Sequence, residues 1–235
     1  GYNIAEAVQT ITVADTAAPG LSIALTGLAS VSINGCLVGA DLSEDTHGTV
    51  SWTTTDDCGE VSVSYIYNDV AVFDCTGDDA NNEGSHTVTR TFTVTAVDCA
   101  GNQTVDSLNQ VFTITDDTAP TLVLTAPADS TVYLDATCTA PAVAQAVSGD
   151  ATGFLVQATD GCDTQVAYTV TYEDDTTYTG TIDGIGSFDI LRTYTVVGQD
   201  DCGNDTTETI AHTIQVLDTL SPTLALTIPN DTMLY

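Results

Sequence analysis

The stretch TRTFTVTA at residues 89–96 decides the fold class, because every second residue in its second half is apolar. Phe92, Val94 and Ala96 fall on one side of an extended chain, and threonines fall on the other. A period of two is the pattern of a β-strand with one buried face. β-Branched threonine also favours the pleated conformation. The stretch therefore predicts a half-buried strand of an all-β protein.

The same alternation returns along the chain. VSVSYIY at residues 61–67 and VAYTVTY at residues 166–172 both alternate valine or tyrosine with smaller or polar residues. Turn-forming Gly, Asp and Asn separate such stretches, and no helical periodicity stands out. About seven strands in roughly 100 residues fit an immunoglobulin-like β-sandwich.

The sequence repeats after about 102 residues, and this repetition organises the whole chain. Three similar segments, ITVADTAAP, ITDDTAP and IQVLDTLSP, end at Pro19, Pro120 and Pro222, which are 101 and 102 residues apart. Other landmarks keep nearly the same offset: Cys36 with Cys138, Cys58 with Cys162, Arg90 with Arg192, and Cys99 with Cys202. We therefore predict tandem immunoglobulin-like β-sandwiches.

The repeat predicts the domain boundaries. Residues 15–115 form a first module and residues 116–217 a second. Residues 1–14 match the last strand of a preceding module, and residues 218–235 match a linker and the first strand of a following one. Two explanations are open: the sequence is an excerpt of a longer array, or the terminal strands complete neighbouring copies by strand exchange.

The charge balance restricts the possible partners. The chain has 33 acidic residues, two Arg and no Lys, for a formal net charge of −31. Binding to nucleic acid or to an anionic membrane needs cations that this chain lacks. No apolar run approaches the length of a membrane-spanning helix, so we expect no membrane insertion of this segment. The expected partners are metal cations and neighbouring copies or modules of the same protein.

Four motifs give the chain a resemblance to a known family. They are the D-T-x-x-P linker, the T-D-x-C turn, the R-T-[FY]-T strand and the D-C-G-N turn. Together they resemble the HYR-like, immunoglobulin-like repeats of very large secreted and cell-surface proteins. The resemblance spans almost the whole chain and implies a module that serves as a spacer, a stalk or an adhesive arm.

Seven cysteines in an acidic, threonine-rich chain indicate an oxidising compartment. In an immunoglobulin-like order, the turn that holds Cys58 and the turn that holds Cys99 lie at the same end of the sandwich. Cys75 has no counterpart in the second repeat, where Tyr178 falls, and Cys138 is left over as a buried thiol or an intermolecular partner. The predicted pairs are Cys58–Cys99, Cys162–Cys202 and Cys36–Cys75.

The same topology gathers aspartates at one end of each module. These residues come from the linker and from two turns, and no nearby Lys is present to neutralise them. Asp is a common Ca²⁺ ligand, and Ca²⁺ takes six to eight oxygens. The alternative is that they are solvated turn formers. The candidate ligands are Asp15, Asp56, Asp57 and Asp98 in the first module, and Asp116, Asp117, Asp160, Asp163, Asp200 and Asp201 in the second.

Two further sets of residues have a predicted role. Arg90 and Arg192 share a repeat position, which favours an ion pair or ring stacking inside each sandwich over ligand binding. Three N-x-T sequons make Asn102, Asn204 and Asn230 candidate glycosylation sites.

The sequence predicts an extracellular or cell-surface structural module of a filament, stalk or large adhesin, made rigid by disulfides and Ca²⁺. A glycan- or receptor-binding module that acts through its end loops is the alternative. No nucleophile–base–orienter set, phosphate loop or metalloprotease helix is present, so we expect no enzyme.

Overall fold

A computed structural model describes residues 1, 5–75, 84–179 and 186–227 of the chain. Regular structure in these residues is almost entirely β-strand, as the alternating pattern predicts. The chain forms two compact units. The first holds Gly1–Thr118 with the short segments Gly161–Thr164 and Asp201–Gly203, and the second holds Ala119–Asp160, Gln165–Asp200 and Asn204–Tyr235.

The first unit is a β-sandwich. Its elements are β1 (Gly20–Leu25), β2 (Ser30–Asn34), a single helical turn α1 (Glu44–His47), β3 (Val50–Thr55), β4 (Ser62–Phe73), β5 (His86–Val97) and β6 (Gln103–Thr115). One sheet pairs β1 with β3, and the other has the order β2-β6-β5-β4. β2 runs parallel to β6, and the remaining pairs are antiparallel. Six strands per unit, rather than about seven, occur in the described residues.

The buried face of β5 forms the centre of this sandwich. Phe92, Val94 and Ala96 are fully buried, as the alternation predicts. Phe92 and Val94 pack against Val50 of β3 and against partly buried residues of β1. Burying a side chain of this size contributes about 1.5–3 kcal/mol.

The second unit repeats the arrangement. Its strands are β7 (Thr121–Thr125), β8 (Ser130–Tyr133), β9 (Leu155–Thr159), β10 (Ala167–Tyr178), β11 (Phe188–Gln199) and β12 (Asp205–Leu217). β7 pairs with β9, and the larger sheet has the order β8-β12-β11-β10. Phe154 and Tyr194 stack in its core with ring centroids 4.9 Å apart.

Strand register corrects one detail of the repeat alignment. Phe73 pairs with His86 in the first unit, and Tyr178 pairs with Phe188 in the second. Tyr178 therefore occupies the position of Phe73 rather than that of Cys75. The residue that matches Cys75 in sequence is Gly180, which lies outside the described residues.

The two arginines bind inside the sandwiches, as the sequence predicts. Arg90 donates from Nε and Nη2 to the two carboxylate oxygens of Asp69, at 2.8 and 2.7 Å. Its Nη1 donates to the carbonyl of Leu42 at 2.6 Å, and the guanidinium lies 4.3 Å from the ring centroid of Tyr67. These contacts tie the neighbouring strands β5 and β4 to the segment before α1.

Arg192 makes the same contacts in the second unit. It donates to both carboxylate oxygens of Asp174 and to the carbonyls of Val143 and Ala144. Its guanidinium lies 4.2 Å from the ring centroid of Tyr172. Each arginine side chain is only 4% exposed, so its charge depends on these partners.

We predict that Asp174→Asn destabilises the second unit at neutral pH by about 1–2 kcal/mol, because Arg192 loses a charged partner that is partly screened by solvent. The hydrogen bond from Arg192 holds the pKa of Asp174 below its ordinary value, against the opposing effect of burial. A lowered pKa means that this stabilisation is complete above about pH 3.9 and is lost as pH falls through the folded-state pKa.

Denaturant unfolding of wild type and Asp174→Asn between pH 7 and pH 2.5 measures this difference. The gap between the two proteins should close at the acid end. Asp175→Asn, one residue along the same strand, is the matched control. Equal stabilities of the two variants at pH 7 would contradict the prediction.

Candidate cation site and cysteines

Three carboxylates meet at one end of the first unit, which we call the leading end. Asp15 precedes β1, Asp56 follows β3 and Asp98 follows β5. Because β3 and β5 end on the side where β1 begins, their turns converge there. Ligand oxygens of these three residues all lie within 4.8 Å of one another.

Asp98 is fixed in an ionised state by the turn that follows it. Its Oδ1 accepts the backbone N–H groups of Ala100 and Asn102 at 2.9 and 2.8 Å, and its Oδ2 accepts the Asn102 side chain at 2.8 Å. Asp98 is only 6% exposed, and burial by itself raises its pKa. The hydrogen bonds from Asn102, Ala100 and Gly101 together outweigh burial and leave the pKa below its ordinary value.

Asp15 supplies the observation that favours a bound cation. Its Oδ1 accepts the backbone N–H of Ala17 at 3.0 Å, but its Oδ2 is buried and has no hydrogen-bond partner among the described residues. A buried carboxylate oxygen without a partner is costly. Three close carboxylates and one unsatisfied oxygen match the hard oxygen ligands that Ca²⁺ prefers.

The carboxylates at the leading end also raise the pKa of the Cys58 thiol. Its pKa is raised first by the charge of Asp15, then by desolvation and by a side-chain hydrogen bond with Asp15, with smaller effects from the charges of Asp56 and Asp57. The backbone N–H of Cys58 donates to Asp56 at 3.2 Å, which holds that carboxylate in the turn. Asp57 lines the same concave surface as Asp15 and Asp56.

Three of the remaining candidate ligands correspond to the first three in the sequence repeat. Asp116, Asp160 and Asp200 hold the repeat positions of Asp15, Asp56 and Asp98. Asp200 accepts the backbone and side-chain N–H groups of Asn204, both at 2.8 Å, as Asp98 does from Asn102.

The last three candidate ligands are Asp117, Asp163 and Asp201. Asp117 accepts two contacts from the side-chain amide of Asn34, at 2.9 and 3.0 Å. Asp163 is buried, and Asp201 lies in the turn that follows β11.

The disulfides differ from the predicted pairs. All seven cysteines are described, and they form Cys36–Cys162 and Cys75–Cys202. The predicted pairs Cys58–Cys99, Cys162–Cys202 and Cys36–Cys75 are wrong, and Cys58, Cys99 and Cys138 are exposed thiols. Each disulfide therefore joins a cysteine of the first sequence repeat to a cysteine of the second.

The opposite end of the first unit explains this pairing, and we call it the trailing end. Cys36 follows β2, and the neighbouring Gly35 donates its N–H to the carbonyl of Thr115, just before the linker. Cys75 follows β4 next to Ser85, whose Oγ accepts the N–H of Asp116 at 2.8 Å. Both cysteines thus lie where the chain leaves the first repeat.

The two leading-end cysteines are close but unbonded. Sγ of Cys99 donates to the carbonyl oxygen of Cys58 at 3.5 Å. The two turns place Cys58 and Cys99 at the same end, as predicted, but the two cysteines do not form a disulfide. In the second repeat, Cys162 holds the position of Cys58, and Cys202 lies in the turn that corresponds to the turn of Cys99; both bond to trailing-end cysteines.

The sequons lie where their amides already have partners. Asn102 Nδ2 donates to Asp98 and, at 3.2 Å, to the carbonyl of Asp15. Asn204 Nδ2 donates to Asp200. A sugar on either nitrogen would have to coexist with these bonds. Asn230 lies outside the described residues.

We predict that proteolysis under non-reducing conditions gives Cys36–Cys162 and Cys75–Cys202 peptides and no Cys58–Cys99 peptide. Mass spectrometry of the digest, with free thiols alkylated beforehand, makes the measurement. A Cys58–Cys99 peptide as the main product would contradict the pairing. The double variant Cys58→Ser/Cys99→Ser should keep both native bonds.

We also predict a large loss of stability on removing one bond. In the chain-entropy model, a loop of 126 residues corresponds to about 5 kcal/mol. Cys36→Ser should lower the free energy of unfolding by up to that amount, whereas Cys138→Ser should leave it nearly unchanged. Equal denaturation midpoints for Cys36→Ser and Cys138→Ser would overturn this expectation.

Comparison with known proteins gives only weak structural likenesses. No protein-family model matches the chain, and no curated protein matches it. The crystal structure of the protocadherin GammaB4 extracellular domain has a TM-score of 0.29 and 17% identity, and covers 85% of this chain and 33% of that chain.

Two other solved structures are similarly distant. Human mucin-like protocadherin EC1-2 has a TM-score of 0.27 and 11% identity, covering 84% of this chain and 98% of that chain. Protocadherin Gamma B2 extracellular cadherin domains 3–6 has a TM-score of 0.27 and 13% identity, covering 86% and 50%. This chain thus spans a third to a half of two of these three structures. Likenesses at this level carry no conclusion about function.

The described residues contain no helix that is both long and apolar enough to span a membrane. Two disulfides are typical of proteins that fold in an oxidising compartment, which is consistent with an extracellular location.

Proposed function

We propose that this chain is a structural segment of an extracellular repeat array, such as a filament, a stalk or a large adhesin, whose consecutive repeats are joined by disulfides. The pairing of Cys36 with Cys162 and of Cys75 with Cys202 carries the proposal. A module that acted alone would be stabilised by disulfide bonds within its own sandwich. Bonds that run from one repeat to the next favour a role that depends on the connected chain, and not a catalytic one.

Exposed apolar segments support the proposal. Ile11 and Val13 are 77% and 92% exposed, whereas the matching Phe112 and Ile114 are fully buried in the first sandwich. Leu224 is 88% exposed, and its match Leu122 is buried. Such side chains gain free energy when a neighbouring module covers them. We propose that the array supplies that cover.

Electron microscopy of the native material tests this role. A fibre or stalk with a regular repeat of one module's length is the expected result. Isolated particles with no periodic material would contradict it.

We further propose that Ca²⁺ binds at the leading end through Asp15, Asp56 and Asp98. The unsatisfied Oδ2 of Asp15 and the mutual repulsion of three carboxylates support this assignment. Bound Ca²⁺ would offset two of the three negative charges and stiffen the segment where the chain enters the first sandwich.

We predict that millimolar Ca²⁺ raises the melting temperature and that EDTA reverses the rise. A ligand at 100 times its Kd stabilises the folded state by about 2.7 kcal/mol. Asp56→Asn should reduce the number of bound Ca²⁺ ions in a calorimetric titration by one. The asparagine oxygen can still accept the N–H of Cys58, so the turn should be retained.

Asp45→Asn, on α1 and away from the cluster, is the matched control and should bind as wild type does. The same Ca²⁺ stoichiometry for Asp56→Asn and wild type would reject the site. Mg²⁺ should have a smaller effect, because it needs near-octahedral geometry and keeps its water.

A further inference from the structure

We infer that the edge strand β4 pairs with β4 of a second copy of this chain, so that two four-stranded sheets join into one continuous sheet. The inference goes beyond the proposed array, because it concerns lateral contact between two copies and not the connection of one repeat to the next. It rests on the open edge of β4, on the side chains along that edge and on the matching strand β10 of the second unit.

β4 has one hydrogen-bonded neighbour among the described strands. It pairs with β5 over its whole length and stands at the end of the sheet order. In an antiparallel pair, every second residue directs its N–H and C=O groups away from the partner strand. β4 therefore presents a row of backbone donors and acceptors along twelve residues, on the order of 40 Å. Such a row is complementary to the edge of another strand.

The outer face of β4 is apolar and carries no charge. Ile66, Val70 and Val72 lie on this face, and each is more than half exposed. The one charged residue of the strand, Asp69, lies on the other face and binds Arg90. Edge strands are commonly protected by outward charges, by Pro or by short length, and β4 has none of these features. Its exposed side chains would gain free energy by packing across the edge.

The matching edge strand of the second unit carries carboxylates where β4 does not. The arginine ion pair of each unit aligns β10 with β4 residue by residue. On the outer face, Glu173 holds the position of Asn68. Asp175 holds the position of Val70. Like charges on facing strands destabilise their pairing, so two β10 edges would repel each other, whereas two β4 edges would not.

The charge of the chain favours a second copy as the occupant of this edge. With a formal net charge of −31, two copies repel each other over most of their surface. They can pair only through a surface that sets no carboxylates against each other. A basic partner would form no ion pair along the outer face of β4, whereas β4 of a second copy presents the same uncharged edge. A two-fold axis would make this contact self-complementary.

Two-fold symmetry also restricts the register, because residues on the same face must meet. A pairing centred on Asp69 would set two carboxylates opposite each other, which is unfavourable. A pairing centred on Asn68 sets Ile66 opposite Val70 twice, with the two asparagine amides between these apolar pairs. We therefore place the two-fold axis at Asn68.

Sedimentation velocity of the full chain over a concentration series, with EDTA present, measures the association. We expect a dimer that forms more readily in high salt, because screening weakens the repulsion between copies. Val70→Asp introduces the residue type that β10 has at this position. Because symmetry repeats the change on both copies, it should weaken the dimer about tenfold.

Val105→Asp is the matched control. Val70 and Val105 are 55% and 56% exposed, but Val105 lies on β6, which β5 separates from β4. The control adds the same charge and should leave dimerisation nearly unchanged. A monomer throughout the series at low and high salt would overturn the inference, as would equal dimerisation of the two variants.

Hydrogen exchange locates the contact in the wild-type chain. Peptides that cover Ser62–Phe73 should gain protection as the protein concentration rises, because the outward N–H groups of β4 acquire partners. Peptides that cover Ala167–Tyr178 should not change. Protection of the β10 peptides in place of the β4 peptides would reject the proposed edge.

Cross-linking tests the register. Asn68→Cys is introduced into a chain in which Cys58, Cys99 and Cys138 are replaced by Ser. Residues directly opposite each other have Cβ atoms close enough for a disulfide, so mild oxidation should give a covalent dimer. Ser64→Cys in the same background is the control, because its two copies would lie about 27 Å apart. Equal yields of covalent dimer from the two variants would contradict pairing centred on Asn68.

Discussion

The buried arginine fork is the interaction on which each sandwich depends. With two arginines and no lysine, the chain has one basic side chain per unit, and each is enclosed among a carboxylate, backbone carbonyls and an aromatic ring. The guanidinium joins a long inner strand and the neighbouring edge strand to a segment that belongs to neither sheet. A planar group with five donors can satisfy all of these partners at once, which an ammonium cannot. The charge of every other acidic residue must therefore be stabilised by hydrogen bonds, by solvent or by a metal ion.

That shortage of cations gives the two ends of the first unit different chemistry. At the leading end, carboxylates converge without a basic partner, and their charge also suppresses ionisation of the Cys58 thiol. At the trailing end, carboxylates and amides bind one another, and cysteines are oxidised. The first unit thus has clustered negative charge at its leading end and disulfide bonds at its trailing end. Such an asymmetry suits head-to-tail connection, in which unlike surfaces meet.

The sequence predicts the strands and the arginine contacts because both are local. Alternation in TRTFTVTA fixes the buried face of β5, and the only basic residue of each repeat needs an acidic partner on the adjacent strand. Turn topology also brings Asp15, Asp56 and Asp98 together. Disulfide pairing is different, because it depends on which loop of one repeat approaches which turn of the next. The assumption of bonds within one sandwich failed for this reason, although the linker contacts of Gly35 and Ser85 mark the bonding end once the fold is known.

The spacing of the two disulfides has a mechanical consequence. Cys36–Cys162 encloses 126 residues of chain that a pulling force cannot extend while the bond is intact. At about 3.3–3.6 Å per residue, unfolding with the bond closed forgoes on the order of 430 Å of extension. An array of such modules would extend less far under load before its disulfides carry the force, because the enclosed residues cannot contribute. Reduction would release the stored length, so the redox state of the surroundings would set how far the material can stretch.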